Sequence, residues 1–374
     1  MGMVHHDARD YKVACSEAAE HMRKKLETLI GSSVKRVAGV IESIKTDIPT
    51  DALVQGNKLD FTYNKETGGI ALLPPPADNN PLPEVLPLHE HAFGQVCEKT
   101  GVKHLVTVLK DLRDKGAWGG DSAARTLGEI YSNMNGKKYL LRALRGEALG
   151  FLSDSYKRLD ARPMSEAFVD AIMEYGARPY DGFALATKTN LRAILPMVFE
   201  PYPGEVLAIG AQLGNSMYGD GKLEVATFVL RMRCTNLAST EDVLSQIHLG
   251  RKISDNVVFS AKTIELDSQT MASAIRDVAG SVFSPEAVNK YLALVTKANT
   301  EGITVDQITN WSKKNLTKQE TDTAVGKFAS PDIELLPPGQ TSWRWSNALS
   351  WLANETEDEH RKLELQHMAG GLIK

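Results

Sequence analysis

Apolar residues recur at helical spacing through Leu26, Ile30, Val34, Val37, Val40 and Ile41, with lysines and arginines between them, which predicts an amphipathic helix within residues 1–45. A shorter alternation through Leu59, Phe61 and Tyr63 predicts a strand ended by Gly68 and Gly69. The run LLPPPADNNPLPEVLP then removes backbone donors and favours extended conformations, so it marks a boundary. Residues 1–85 are therefore expected to form an N-terminal helical segment with a Pro-rich linker, and residues 86–374 the main domain.

Helical spacing returns through Ala92, Val96, His104, Val108 and Leu112 and is broken at Gly119 and Gly120, so residues 86–135 should hold two or three helices. The segment KYLLRALRGEALGFLS predicts a β-hairpin turning at Arg145, Gly146 and Glu147. A helix should begin near Pro163 and turn Phe168, Ile172 and Met173 inward. Further on, Leu207, Ile209, Ala211 and Leu213 share one strand face, and Phe228, Leu230, Met232 and Cys234 share another. These patterns predict an α+β fold in which an antiparallel sheet of roughly four to six strands within residues 136–265 packs on helices. Residues 266–374 return to helical spacing. Ser284, Pro285 and Glu286 form a start signal there, and Gly370 and Gly371 a stop.

Composition narrows the classes. Apolar residues make up 42% of the chain and charged residues 24%, enough for a buried core. The longest apolar runs are strand-sized, well short of the roughly 20 residues a membrane-spanning helix needs. The N-terminus lacks the apolar stretch of a secretory signal, and Cys15, Cys97 and Cys234 make no close pair, so a reducing cytoplasm is expected. The net charge of −4 argues against a uniformly basic nucleic-acid-coating protein, although a local basic face remains compatible with it.

Most familiar catalytic signatures are missing: GNSMYGDGKL lacks the Gly-Lys-Ser/Thr of a phosphate-wrapping loop, and no zinc helix or nucleophile elbow occurs. No metal or cofactor is implied. His89 and His91 flank Glu90 at a helix start, where their rings diverge, so a solvated helix entrance is expected. FLSDSYKRLDARP concentrates Ser153, Asp154, Tyr156, Lys157, Arg158 and Asp160 after a strand, as a polar cleft edge or as turn and helix caps. In TFVLRMRC, alternation sets Arg231 beside Arg233 opposite the apolar face. Arg142, Lys188 and Arg192 on nearby strands, and His248, Arg251 and Lys252 after a short helix, extend this cationic set. Cys234 is expected to be a small buried hydrophobe rather than a nucleophile, and Trp343, Trp345 and Trp351 to pack a C-terminal helix on the core. Asn215 and Ser216 in GNSMYG suit either a turn or a ligand.

Taken in order, LLRALRGEALGFLSDSYKRLD, GNSMYGDGKLEVATFVLRMRCTN, IHLGRK and SWRWSNALSWLANETEDEHRKLELQHMAGGLI resemble the phage and plasmid domain-of-unknown-function family 932, over residues 88–374. The resemblance implies a setting among phage replication and recombination functions. It assigns family polar positions to Arg142, Ser153, Asp154, Tyr156, Arg158, Asp160, Asn215, Ser216, Arg231, Cys234, Asn236, His248 and Arg251. Ser155 stands where the family often has a basic residue, and Ala161 where it often has Asn. The hairpin, helix and basic sheet are also similar in architecture to single-strand annealing proteins.

The expectation is a phage-type DNA-binding protein, a homo-oligomer in the bacterial host cytoplasm, holding single-stranded DNA for annealing or protection. Arg142, Lys157, Arg158, Arg231, Arg233, Arg251 and Lys252 would meet phosphates, and Tyr156 would stack on a base. The alternatives are an enzyme acting on nucleic acid or nucleotide through Asp154, Asp160 and His248, and a non-catalytic host-interaction protein. The last is favoured if Arg231 and Arg233 are paired with carboxylates.

Overall fold

The computed structural model describes residues 11, 13–75, 82–246, 260–331 and 335–373, with the side chains of 241–246 and 261 outside that set. The expected N-terminal helix is α1 (Glu17–Thr46), whose first turn is closed by Ser16 accepting from the Ala19 N–H. Leu26, Ile30, Val37 and Val40 are buried as the spacing requires, whereas Val34 faces solvent. The residues before 86 also hold β1 (Thr50–Gln55), β2 (Asp60–Asn64) and β3 (Gly69–Leu73), so this segment is more than a helix with a linker. β2, β3 and β4 (Leu86–Pro87) form a small antiparallel sheet. It shares a core with α2 (Glu90–Lys99), α3 (Leu105–Arg113) and α4 (Ala117–Ser132).

The expected hairpin is β5 (Lys138–Leu144) and β6 (Glu147–Ser153), and β1 adds to its outer edge. Arg145 and Gly146 have φ of 53° and 81°. Two left-handed residues give the tight turn whose twist suits a hairpin. Helix α5 (Ala161–Glu174) follows and buries Phe168 and Ile172, but Met173 lies on its outer side and is 64% exposed.

The main sheet contains β7 (Arg178–Ala184), β8 (Thr189–Ile194), β9 (Phe199–Tyr202), β10 (Glu205–Asn215), β11 (Leu223–Arg231) and β12 (Asn236–Gln246). All its pairings are antiparallel, in the order β12-β11-β10-β8-β7 with β9 also on β10. One face of β10 turns Ile209, Ala211 and Leu213 into a core with α5, α6 (Ala261–Val282) and α7 (Pro285–Thr300). The opposite face turns Val206 and Ala208, with Phe228, Leu230 and Met232, against α1. Both faces of the central strands are therefore covered, and every residue of β10 is buried.

Helices α8 (Val305–Asn315), α9 (Lys318–Ala329), α10 (Ser342–Asn354) and α11 (Glu359–Gly370) complete the chain. Trp343 and Trp345 are buried in the core these helices share with Leu207 and Val229, as expected of a packed helix, while Trp351 lies beneath Lys327. The apolar and charged run at the C-terminus is two helices, because α10 ends at Asn354 and Asp358 caps α11 by accepting from the His360 and Arg361 N–H groups. α11 lies so close to β12 that a Cβ added at Gly370 would sit 1.6 Å from the Ser239 carbonyl oxygen. Among the described residues, no helix is long and apolar enough to cross a membrane.

Candidate functional site

The basic face expected on β11 does not form. The strand ends at Arg231, and residues 232–235 make the turn into β12, with Thr235 at φ 57°. Arg233 is exposed in that turn, while Arg231 points into the interior at 2% exposure. There its Nε and Nη2 donate to the two carboxylate oxygens of Glu205, at 2.6 and 3.1 Å, and Nη1 donates to the Leu335 carbonyl. Cys234 sits in the same turn, half-buried with its sulfur 3.6 Å from Arg231 Nη1, and not on the apolar strand face. A guanidinium enclosed in this way has no surface to offer a phosphate.

The other expected contacts are enclosed in a similar manner. Arg142, 1% exposed, donates from Nε to Asp51 at 2.8 Å, from Nη2 to Asp160 at 2.5 Å and from Nη1 to the Met217 carbonyl at 3.0 Å. Burial works against its charge, but the two carboxylates outweigh that and hold it protonated. Arg158 lies 3.5 Å from Asp51, and Lys157 2.9 Å from Asp267. The Tyr156 hydroxyl donates to the Ser216 carbonyl, and burial raises its pKa. Asp160 occupies the N-cap position of α5 but turns its carboxylate to Arg142 instead of the helix. Asp154 is exposed beyond β6. His248, Arg251 and Lys252 lie outside the described residues; what precedes them is the strand β12, and not the short helix expected there.

Two of these groups, Arg142 and Tyr156, help to hold one loop. Residues 214–221, the GNSMYGDG segment running from the end of β10 towards β11, are gripped from four sides. Arg142 binds the Met217 carbonyl, and His91 Nε2 and Gln95 Nε2 meet the Tyr218 carbonyl at 3.0 and 2.8 Å. Tyr156 binds the Ser216 carbonyl, and the Asn215 amide donates to the Leu159 carbonyl at 2.9 Å. Within the loop, Ser216 Oγ accepts from the Asp220 N–H at 2.8 Å. Asn215 and Ser216 thus serve as turn residues, and the loop they shape is one wall of a cleft.

That cleft, about 390 Å³, lies between the ends of β8, β10 and β11 and the inner face of α11. Lys188, Asn190, Asn215, Ser216, Lys222 and Glu224 line the sheet side, and His360, Leu363, Glu364 and His367 line the helix side. Lys188 Nζ sits 3.0 Å from His360 Nδ1 and 3.4 Å from Asp220, whose other oxygen accepts from the Thr187 hydroxyl at 2.6 Å. Lys222 lies 3.2 Å from one oxygen of Glu224, and His367 Nε2 lies 3.3 Å from the other. Burial pushes the Glu224 carboxyl upward, but His367 and Lys222 prevail and hold it below the ordinary carboxylate range. Arg361 lies 2.6 Å from Glu364. Among the described residues, neither Asn190 Oδ1 nor Asn215 Oδ1, both buried, has a hydrogen-bond partner, and no group of His, Cys, Asp and Glu could hold a metal ion.

Of the expected site residues, Arg142 and Tyr156 brace the loop that walls this cleft and Arg231 lies at the far end of β11, while Lys188, Asn215 and Ser216 line the cleft beside Asn190, Lys222, Glu224 and the α11 residues, which sequence reasoning did not single out. The signal for them was present. His360, Leu363, Glu364 and His367 repeat at i, i+3, i+4 and i+7, one helix face, and alternation sets Glu224 on the same buried strand face as Phe228. An acidic residue on a buried face needs a partner. No protein-family model, curated protein or solved structure matches the chain.

Proposed function

We propose that this protein binds a small, uncharged, hydroxyl-rich molecule, a nucleoside or monosaccharide ring, in the cleft beneath α11. The observation that carries this reading is the balance of charge. Lys188 and Lys222 in the lining face Glu224 and Glu364, each of the four already has a partner of opposite charge, and the remaining polar groups are carboxamides, two hydroxyls and imidazoles. A net anion entering such a site would lose its hydration without gaining an unanswered cation, whereas hydroxyls can pair with donors and acceptors alike. The Asn190 carboxamide oxygen, buried in the cleft wall with no hydrogen-bond partner among the described residues, is the acceptor assigned to such a hydroxyl. The volume falls within the range of about 300–1,000 Å³ usual for small-molecule sites. His367 and His360, each beside a carboxylate, add acid–base capacity, so the enzyme alternative moves from Asp154, Asp160 and His248 to this pair.

Single-stranded DNA binding is the weaker reading, because Arg142, Lys157, Arg158 and Arg231 are engaged by Asp51, Asp160, Asp267 and Glu205. It would have to rest on exposed cations such as Arg233.

The test is calorimetric titration at pH 8 with adenosine, uridine, glucose and their phosphate monoesters, and with a labelled oligonucleotide in parallel. At least one uncharged member should bind more tightly than its phosphate, and Asn190→Leu should weaken it by tenfold or more. Tighter binding of the phosphates, or binding indifferent to Asn190→Leu, overturns the reading. Salt-sensitive oligonucleotide binding without any small-molecule binding restores the DNA alternative.

A further inference from the structure

His367 is placed between two groups that make opposite demands on one nitrogen. Its Nε2 lies 3.1 Å from Gln212 Nε2 and 3.3 Å from Glu224 Oε1. The orientation of the Gln212 carboxamide is set by Arg192, whose Nε donates to Gln212 Oε1 at 3.2 Å, and a guanidinium can only donate. Gln212 Nε2 is therefore a donor aimed at the ring. A bare Nε2 can accept that hydrogen and satisfies Gln212, which is wholly buried. A protonated Nε2 satisfies Glu224 and leaves the Gln212 N–H facing another N–H. Both bonds cannot exist at once.

We propose that His367 is a proton-operated latch. Neutral, it carries its proton on Nδ1 and docks α11 to β10 through Gln212. Protonated, it docks α11 to β11 through Glu224, and the cleft gains a positive charge. The surroundings bias the two states in opposite senses. Glu224 favours the imidazolium, and Lys222, 3.2 Å from the far oxygen of Glu224, partly offsets that pull. Arg192 is held by Asp181 at 3.2 Å and by Gln366 at 2.5 Å, so its charge is answered before it reaches the ring. On α11 itself Glu364 is engaged by Arg361, and His360 sits with Lys188 and Asp220. From α10, Arg344 is committed to the carbonyls of Phe328, Ser330 and Pro337, and from α9, Glu320 to Arg361. β12 brings Glu241 and Asp242, whose side chains lie outside the described residues.

Histidine is the side chain whose ordinary charge change falls between about pH 5 and 8, which suits it to such a latch. In the protonated state of the latch the charge-balanced cleft carries one more positive charge, and its preference turns from uncharged rings toward anions. This deepens the ligand reading and rests on it for that consequence alone; the latch is tested on the protein without ligand, so either can fail separately.

The experiment is nitrogen NMR of the full chain labelled in histidine, followed through a pH titration, with His367→Gln assigning the signals. At alkaline pH, His367 should show a protonated Nδ1 and a bare Nε2. Glu224→Gln should move its midpoint down by about one unit, and Gln212→Met should move it up. A protonated Nε2 at alkaline pH in the unaltered protein overturns the proposal, as do shifts of the same sign in the two variants. The tautomer is read in the unaltered protein, and sequential backbone correlations assign the His367 signal if His367→Gln fails to fold, so a misfolded variant does not leave the proposal undecided.

Discussion

Asp51 of β1 and Arg142 of β5 stand directly opposite each other across an antiparallel pair, with Oδ1 2.8 Å from Nε. Since Arg142 also binds Asp160 and the Met217 carbonyl, one guanidinium joins the three-stranded sheet, the start of α5 and the loop bordering the cleft. Removing it leaves two carboxylates facing each other without their shared cation. Arg142→Met is expected to cost about 3–5 kcal/mol, the usual penalty for breaking one side of a buried ion pair. The shift in urea midpoint measures this, and a loss under about 1 kcal/mol would show that Asp51 and Asp160 find other partners.

Arg231 and Glu205 offer a cleaner case, because both are almost fully buried and Glu205 answers the guanidinium with two oxygens. Arg231→Met alone should destabilise by about 3–5 kcal/mol, whereas Arg231→Met with Glu205→Leu should recover most of that loss. A double-mutant cycle reads the difference as a coupling energy. Additive losses in the cycle would mean the pair does not act as a unit.

How much of this was legible in the sequence depends on the range of the interaction. The α1 stripe, the hairpin at Arg145-Gly146, the facing of β10 and the Ser284 cap are set by neighbours in the chain, and each is present. The alternation that placed Leu207 to Leu213 correctly failed at Arg233 because a four-residue turn begins after Arg231, and nothing in the period announces where a strand stops. What period alone cannot show is which acceptor answers which arginine. Arg142 and Asp51 are 91 residues apart, and Arg192 and Gln366 are 174 apart, so their pairing emerges only from tertiary assembly.

Glu320 gives the pH dependence of α11 docking. Its carboxylate binds the Arg361 guanidinium at 2.7 and 2.8 Å, which lowers its pKa from 4.5 to about 2. A carboxyl whose pKa is lower in the folded state contributes stability that is complete above its unfolded value and disappears as the pH falls through the folded one. The contribution should therefore fade between about pH 4.5 and 2. Glu320→Gln should flatten the acid limb of a melting-temperature profile in that window while lowering the plateau at neutral pH. An unchanged acid limb would disprove the linkage.

Gly370 lets α11 lie directly against the backbone of β12. A methyl group there meets the Ser239 carbonyl and the Thr240 nitrogen, so Gly370→Ala must push the end of α11 away from β12. Overpacking of this kind costs about 1–3 kcal/mol. Because His367 is on the preceding turn, the same change should disturb the His367 nitrogen signals more than those of His91 on α2. Equal perturbation of both would indicate general loosening and not local displacement.

α11 also fixes when the site can exist during synthesis. The sheet residues of the cleft are complete once β11 has been made, yet its far wall consists of the last helix of the described chain, and the joining bond from Arg192 to Gln366 closes a separation of 174 residues. Contacts of such long range are entropically the slowest to form. A nascent chain that has reached α10 can assemble the strands while Gln212 and Glu224 still face water. Under the proposed ligand reading, recognition thus begins only once α11 has docked on the sheet, however early the strands have assembled.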